Sequence, residues 1–442
     1  MVTMTARYFP LFVFFLALQL SASASFAWQD WNQWRGPELD SVAGDQSIVS
    51  ELSESTRLWR TKLKGPAGAS PIVIGDRIFV TSAGKKLLVE CFEVATGKQL
   101  WSKPVAGKNE KGKDSSNSAS NSPCSDGTHL WTTFGNGQVS CFTLDGKEVW
   151  TKNLQEQYGN FEIMFGMTTT PLLVDGQLIY ALMGGKMRDP ATSVGTVISL
   201  DAATGDEKWA HVRKTDAKKE CKHVYASPTI AELDGKKMLI VHGADYTTAH
   251  ELDGGKEVWR LGGMNPKNKS YNPTLRFVSS PVSADDLVVI PSAKRGPVWA
   301  VKIDSKGTLT RKDLVWSSER VTPDVASPVI YNGRVFLARE KGTLACLDAG
   351  SGKKLIEKRY LADKHRSTPV AVDGKLVIVD RSGKLMLIEA DEKLKEIAAI
   401  ELGEETTASP AVADGIIFVR TFEALYAFGK PVDATTPTGI VE

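Results

Sequence analysis

The chain contains no Cys-x-x-Cys-His, so a covalently attached haem is excluded. Its six histidines show no zinc spacing; His242 and His250 share one loop, and no third ligand accompanies them. Ser351-Gly352-Lys353-Lys354 lacks the upstream glycine and following Ser/Thr of a phosphate loop, and reads instead as a hairpin turn. Neither sign of charge dominates, with 54 Lys+Arg against 52 Asp+Glu, which argues against a general nucleic-acid-binding surface. The five cysteines, Cys91, Cys124, Cys141, Cys221 and Cys346, are odd in number, so at least one lacks a partner within the chain.

A long apolar run is also missing. Phe9 to Leu20 is apolar apart from Pro10 and Gln19, too short for a membrane span. It follows the single positive charge of Met1 to Arg7 and precedes Ser25-Phe26-Ala27, which fits a small-x-small cleavage rule. Residues 1–27 are therefore predicted to be a signal peptide, with the mature chain starting near Trp28. With the first cysteine at Cys91, no cysteine stands at that junction to carry a lipid anchor. A monomer in the periplasm or outside the cell is expected.

What the sequence has instead is a repeat. A small residue plus proline opens an apolar run, an Asp-Gly or similar turn follows, and a second apolar run comes after it. The openers are Ser70-Pro71, Ser122-Pro123, Thr170-Pro171, Ser227-Pro228, Ser280-Pro281, Ser327-Pro328, Thr368-Pro369 and Ser409-Pro410, spaced 41 to 57 residues apart. That interval suits one four-stranded propeller blade. Asp126-Gly127, Asp175-Gly176, Asn332-Gly333, Asp373-Gly374 and Asp414-Gly415 are expected to supply the positive φ angles that a tight hairpin between strands A and B requires.

Strands C and D follow, best seen from Val197 through Thr204-Gly205 to Trp209. The tryptophans closing strand D, Trp59, Trp101, Trp150, Trp209, Trp259 and Trp316, are read as structural, packing across the neighbouring blade. Cys91, Cys141 and Cys346 share one strand-C position and read as small buried hydrophobes. The last unit stops after Ala424 to Phe428 without a fourth strand, and Arg57-Leu58-Trp59-Arg60 is a strand D with no blade of its own. The expected fold is an all-β, eight-bladed β-propeller of four-stranded antiparallel blades, closed by that N-terminal strand completing the last blade. The expected boundaries are a 28–56 extension, a propeller over 57–429 and a 430–442 tail.

The series Ser-Pro, Asp-Gly, Leu200-Asp201-Ala202-Ala203-Thr204-Gly205 and Trp209 resembles the PQQ-like, or quinoprotein alcohol dehydrogenase-like, propeller repeat. The head Trp31 to Pro37 is similar to the segment opening many exported members. The resemblance implies one of two branches: dehydrogenases holding PQQ and calcium on the axis, or non-enzymatic scaffolds of the BamB kind. The dehydrogenase branch would carry an adjacent Cys-Cys pair, absent here, and a carboxylate-amide cluster that Glu162, Asp324 and Asp380 do not reproduce. The expected function is thus a non-catalytic scaffold for a protein or anionic ligand, with no catalytic residue, metal or cofactor. The alternative is a PQQ-dependent quinoprotein dehydrogenase oxidising an alcohol or sugar.

In such a propeller the A–B and C–D hairpins share one face, and the B–C and D–A loops share the other. The second face collects cations, including Lys85, Lys86, Lys186, Arg188, Lys294, Arg295 and Lys341. From this face Lys222, His223, Arg276, Arg339, His365, Arg366 and Arg381 are expected to form a positive funnel mouth for an anionic ligand or acidic partner.

Overall fold

The computed structural model describes residues 29–109, 117–161, 163–182, 195–360 and 364–430. The signal peptide and its cleavage site, Glu162, Lys186, Arg188 and nearly all of the tail lie outside the described residues.

Each blade starts where the backbone must. Proline at a strand's first position has no amide to donate, and the strand proper begins at the next residue. Blade one runs Ile72–Ile74, Arg77–Ala83, Leu87–Glu93 and Gln99–Val105, paired antiparallel in that order. The same meander recurs seven times, giving eight sheets around one axis. In the last, Ala411–Ala413, Ile416–Arg420 and Ala424–Phe428 are joined by Arg57–Lys62, which pairs antiparallel to Ala424–Phe428. The closure expected from the sequence is thus present. Blade four carries a fifth strand not expected, Gly307–Leu309, which leaves blade five and pairs parallel to Glu257–Leu261.

Strand D carries the contact between blades. In seven of the eight sheets the C–D ladder has a bulge one residue before the position of the blade tryptophan; in blade one, Cys91 faces Trp101 and Phe92 faces Gln99, leaving Leu100 out of register. A bulge twists its strand and re-aims the next side chain. The indole then reaches the following blade, where Trp59, Trp101, Trp209 and Trp316 donate their Nε1–H to the carbonyls of Val94, Leu144, Leu252 and Ala349 at 2.8 to 3.0 Å. Trp150 and Trp259 do the same to Ala202 and Ile303. Three of the bulged residues, Leu100, Val149 and Leu355, are exposed apolar side chains, while Leu58, Val258 and Ile397 pack against the core.

The ring face lies on the glycine of the neighbour's C–D turn. A Cβ at Gly97 would stand 2.5 Å from Trp59, and one at Gly352 would stand 2.4 Å from Trp316. Blades six and seven lack this lock, because Ile356 and Ala398 occupy the register position held elsewhere by tryptophan. All five cysteines are free and buried. Burial pushes the thiols of Cys91 and Cys141 up to about 12 and that of Cys346 up to about 11, so they pack as small apolar groups.

A second clasp joins blade eight to blade one. Arg420 is fully buried and donates to the carbonyls of Thr81, Ala69 and Gly65 and to the Ser82 hydroxyl at 2.7 to 3.4 Å. Removing it leaves several buried acceptors unsatisfied, each at a cost of roughly 1–3 kcal/mol. Arg420→Met is expected to lower stability by about 3 kcal/mol in urea unfolding, with hydrogen exchange accelerated first in Arg57–Lys62 and Ala424–Phe428. Gly352→Ala, which sets a methyl against Trp316 at a φ of +67°, is expected to cost about 2 kcal/mol in the same assay.

Candidate functional site

The openers meet at the axis. Strand A is the innermost strand of each blade, so the amide just before its proline has no ladder partner within its own sheet. The neighbouring blade supplies one. Ser70 N–H donates to Ser122 Oγ at 2.9 Å, Ser122 to Thr170 Oγ1 at 3.1 Å, Thr170 to Ser227 at 2.9 Å and Ser227 to Ser280 at 2.9 Å. Ser280 then donates to Ser327 at 3.0 Å, Ser327 to Thr368 at 3.0 Å, Thr368 to Ser409 at 2.9 Å and Ser409 back to Ser70 at 3.0 Å. The circuit is closed, and all eight residues are buried.

One face of this ring is shut by the segment ahead of the first strand. Trp31 exchanges two backbone hydrogen bonds with Val73, Asn32 accepts from Ser125 N–H, and the Gln33 amide pairs with the backbone of Leu173. Arg35 reaches the carbonyls of Pro281 at 2.8 Å and Pro328 at 3.2 Å, while Ser41 and Ala43 bond the backbone of Ala371. Gln46 accepts from Gly415 N–H. These partners belong to seven of the eight blades. Burial lowers the Arg35 guanidinium to about 10, still a cation at neutral pH. Its backbone, with those of Leu39 and Ser41, is held at positive φ, strain that so many fixed partners can impose. The role of this extension had no signal in the repeat pattern, because it meets each sheet through only a few hydrogen bonds.

The result is a blind axial cavity of about 120 Å³. Trp34 forms its floor, the ring of Ser and Thr its wall, and a second tier two residues ahead of each opener its mouth. That tier includes Tyr225, Val278, Val325 and Arg366, the last being the one charged residue of the lining. The opening faces the B–C and D–A loops.

The residues expected at the funnel mouth fall into two groups. In the first, Lys222 is exposed at the end of a short 3-10 turn, His223 Nδ1 stands 3.4 Å from the Tyr225 hydroxyl, and Arg276 pairs with Glu220 while lying over the Phe165 ring. Burial and the nearby Arg276 lower the His223 pKa. In the second, Arg339 pairs with Glu357, Arg366 with Glu340 at 3.6 Å, and Arg381 with Glu405 at 3.9 Å. His365 is fully buried, behind the wall and away from the mouth surface. The acids that balance these arginines were underweighted in the sequence, where a partner 18 to 56 residues away is invisible. Exposed positive charge on this face comes from Lys85, Lys86, Lys222, Arg295 and Lys341, which make no ion pair among the described residues.

Comparison with known proteins supplies the family. Residues 41–186, 85–318 and 191–395 match, in overlapping stretches, the family described as outer membrane protein assembly factor BamB. The chain belongs to that family. BamB of Escherichia coli K12 is 22% identical over 246 residues, 55% of this chain and 43% of that protein; BamB of Yersinia pestis is 22% identical over 351 residues, 78% and 77% respectively. The chain thus spans less than half the length of the Escherichia coli relative. Among solved structures, BamB from Moraxella catarrhalis superposes with a TM-score of 0.58 at 13% identity, covering 84% of this chain and 97% of that one. The quinohemoprotein alcohol dehydrogenase of Comamonas testosteroni reaches 0.65 at 12% identity, covering 93% and 82%, which shows a shared fold.

The dehydrogenase fold makes the axis worth testing for calcium and a quinone. Calcium takes about six to eight oxygen ligands, several of them carboxylates. Among the described residues no Asp, Glu, Asn or Gln lines the axial cavity, and no three His, Cys, Asp or Glu gather as a metal site. The residues present do not fit that pair.

Three histidines near the loops set a pH dependence. Burial lowers His365 and His250 to about 4 and His242 to about 3. Each folded value lies below the ordinary 6.5, so the unfolded chain takes up protons first as pH falls. Stability is therefore flat above about pH 7 and falls between about 6.5 and 4, by on the order of 1.4 kcal/mol per pH unit for each histidine. His365→Leu is expected to reduce the loss between pH 7.5 and 5 by about 2 kcal/mol in urea unfolding; an unchanged loss would show that His365 is not buried neutral.

Proposed function

We propose that the chain is an exported, non-catalytic propeller that holds a partner protein against its loop face during outer-membrane protein assembly. The observation that carries this reading is the construction of the axis. In the dehydrogenases a propeller axis is a reaction chamber, whereas here its floor is the protein's own Trp34, in a segment that Arg35 ties to two blades, and its wall is spent on joining blades. What remains is a rigid disc with one broad face of loops, where Arg276, Arg339 and Arg366 are held by acids and the lysines project. The leader expected at residues 1–27 supports a periplasmic location, and the family's description supports the process.

A partner surface rich in acid suits those lysines, through attraction that acts mainly on encounter rate. The test is to purify the assembly machinery of the native host with and without Lys222→Glu and Lys341→Glu in this chain, neither of which disturbs an ion pair. Co-purification is expected to fall about tenfold for the double variant, and to be recovered in low salt by the wild type alone. Turnover of alcohols or aldose sugars on adding PQQ and calcium would replace this reading with the dehydrogenase one.

A further inference from the structure

The axial ring leaves a chemical remainder. Each hydroxyl spends its acceptor side on the amide of the preceding blade, and none of the eight donates its own proton to a protein acceptor among the described residues. All are more than nine-tenths buried, from 1% exposed at Ser280 to 8% at Ser409. All line one cavity. A hydroxyl is a donor as well as an acceptor, and a buried donor without a partner costs free energy. Eight such costs converge on one volume.

We infer that the axial cavity is a binding site for one small oxyanion, such as inorganic phosphate, sulfate or a short carboxylate. Water accepts from the ring too, but one water offers two lone pairs to eight converging donors, whereas an oxyanion offers several oxygens carrying negative charge. An oxyanion brings lone pairs alone, and converging hydroxyl donors are the complement it needs. The two other features of the lining have the same sense. Trp34 lines the cavity with no hydrogen bond to its indole N–H among the described residues, and Arg366 adds the one charge among the described lining residues while remaining within 3.6 Å of Glu340. At about 120 Å³ the space suits a ligand of a few heavy atoms, not a tricyclic quinone. The site goes beyond the rim docking proposed above, and either can fail without the other.

The test is isothermal titration and thermal denaturation of the purified protein with phosphate, sulfate and acetate, in chloride buffer at constant ionic strength. A saturable heat with one site per chain and a matching rise in Tm is expected for at least one of the three. Val278→Phe, which fills the mouth, is expected to abolish both, and Arg366→Gln is expected to weaken binding about tenfold. Thr168→Tyr blocks the mouth from another blade should Val278→Phe fail to fold. No saturable heat with any of the three anions overturns the assignment. So does an equal response in the blocked variants, which would mark an adventitious ion only, or glycerol matching the anions.

Discussion

A blade begins beside the axis, where eight sheets crowd together and the first amide of each points sideways, away from any ladder of its own. The closed circuit of amide-to-hydroxyl hydrogen bonds answers that constraint, and the openers follow from it. The residue must be small because eight of them share the axis. It must carry a hydroxyl because the neighbour's amide has no other acceptor. Proline follows because it removes the next amide and holds the preceding residue extended. Each of these bonds links blades 41 to 57 residues apart, except the last, which joins Ser409 to Ser70 across the whole chain.

Closure at the centre constrains the rim. With the inner ends tied, a blade can only pivot at its outer strand, and there the bulge and the indole fix the angle to the next sheet. The two locks are complementary: the ring is a set of polar bonds at the axis, and the Trp-on-Gly contacts are apolar burial at the periphery. Where tryptophan gives way to Ile356, Tyr360 donates its hydroxyl to the Leu394 carbonyl of the next blade and takes over part of the polar half of the contact. Arg420 and Arg57–Lys62 then fasten the one seam at which neighbouring blades come from opposite ends of the sequence.

How much of this was legible depended on whether the signal was periodic. The hairpins at Asp373-Gly374 and Asp414-Gly415, the strand limits of the last blade and the orphan strand at Arg57 all express local turn chemistry or a fixed interval, and they fell where the sequence put them. The ring did not show, because Ser-Pro reads as a strand opening and nothing local says whose amide the hydroxyl accepts. The 28–56 extension was opaque for a different reason: its side chains meet seven sheets one at a time. A usable clue was there in the tight Trp31, Trp34 and Arg35 grouping within a polar stretch, since large side chains outside any repeat need somewhere to be buried. Charge misled most. Arg276, Arg339 and Arg366 looked like an uncompensated cluster because Glu220, Glu357 and Glu340 reach them from elsewhere in the fold.

That pairing divides the loop face into parts with different physics. An arginine held by a carboxylate in a partly buried setting is fixed in place and contributes little net field, so Arg276 and Arg339 shape the surface more than they charge it. The lysines at its edge are exposed and mobile, and their attraction for a partner is screened by salt over about 10 Å. Arg366 differs from both, since it alone faces the axial cavity, where water is scarce and a charge acts at higher strength. Long-range attraction therefore belongs to the rim and short-range selectivity to the axis, separated by the ring of hydroxyls that holds the eight blades together.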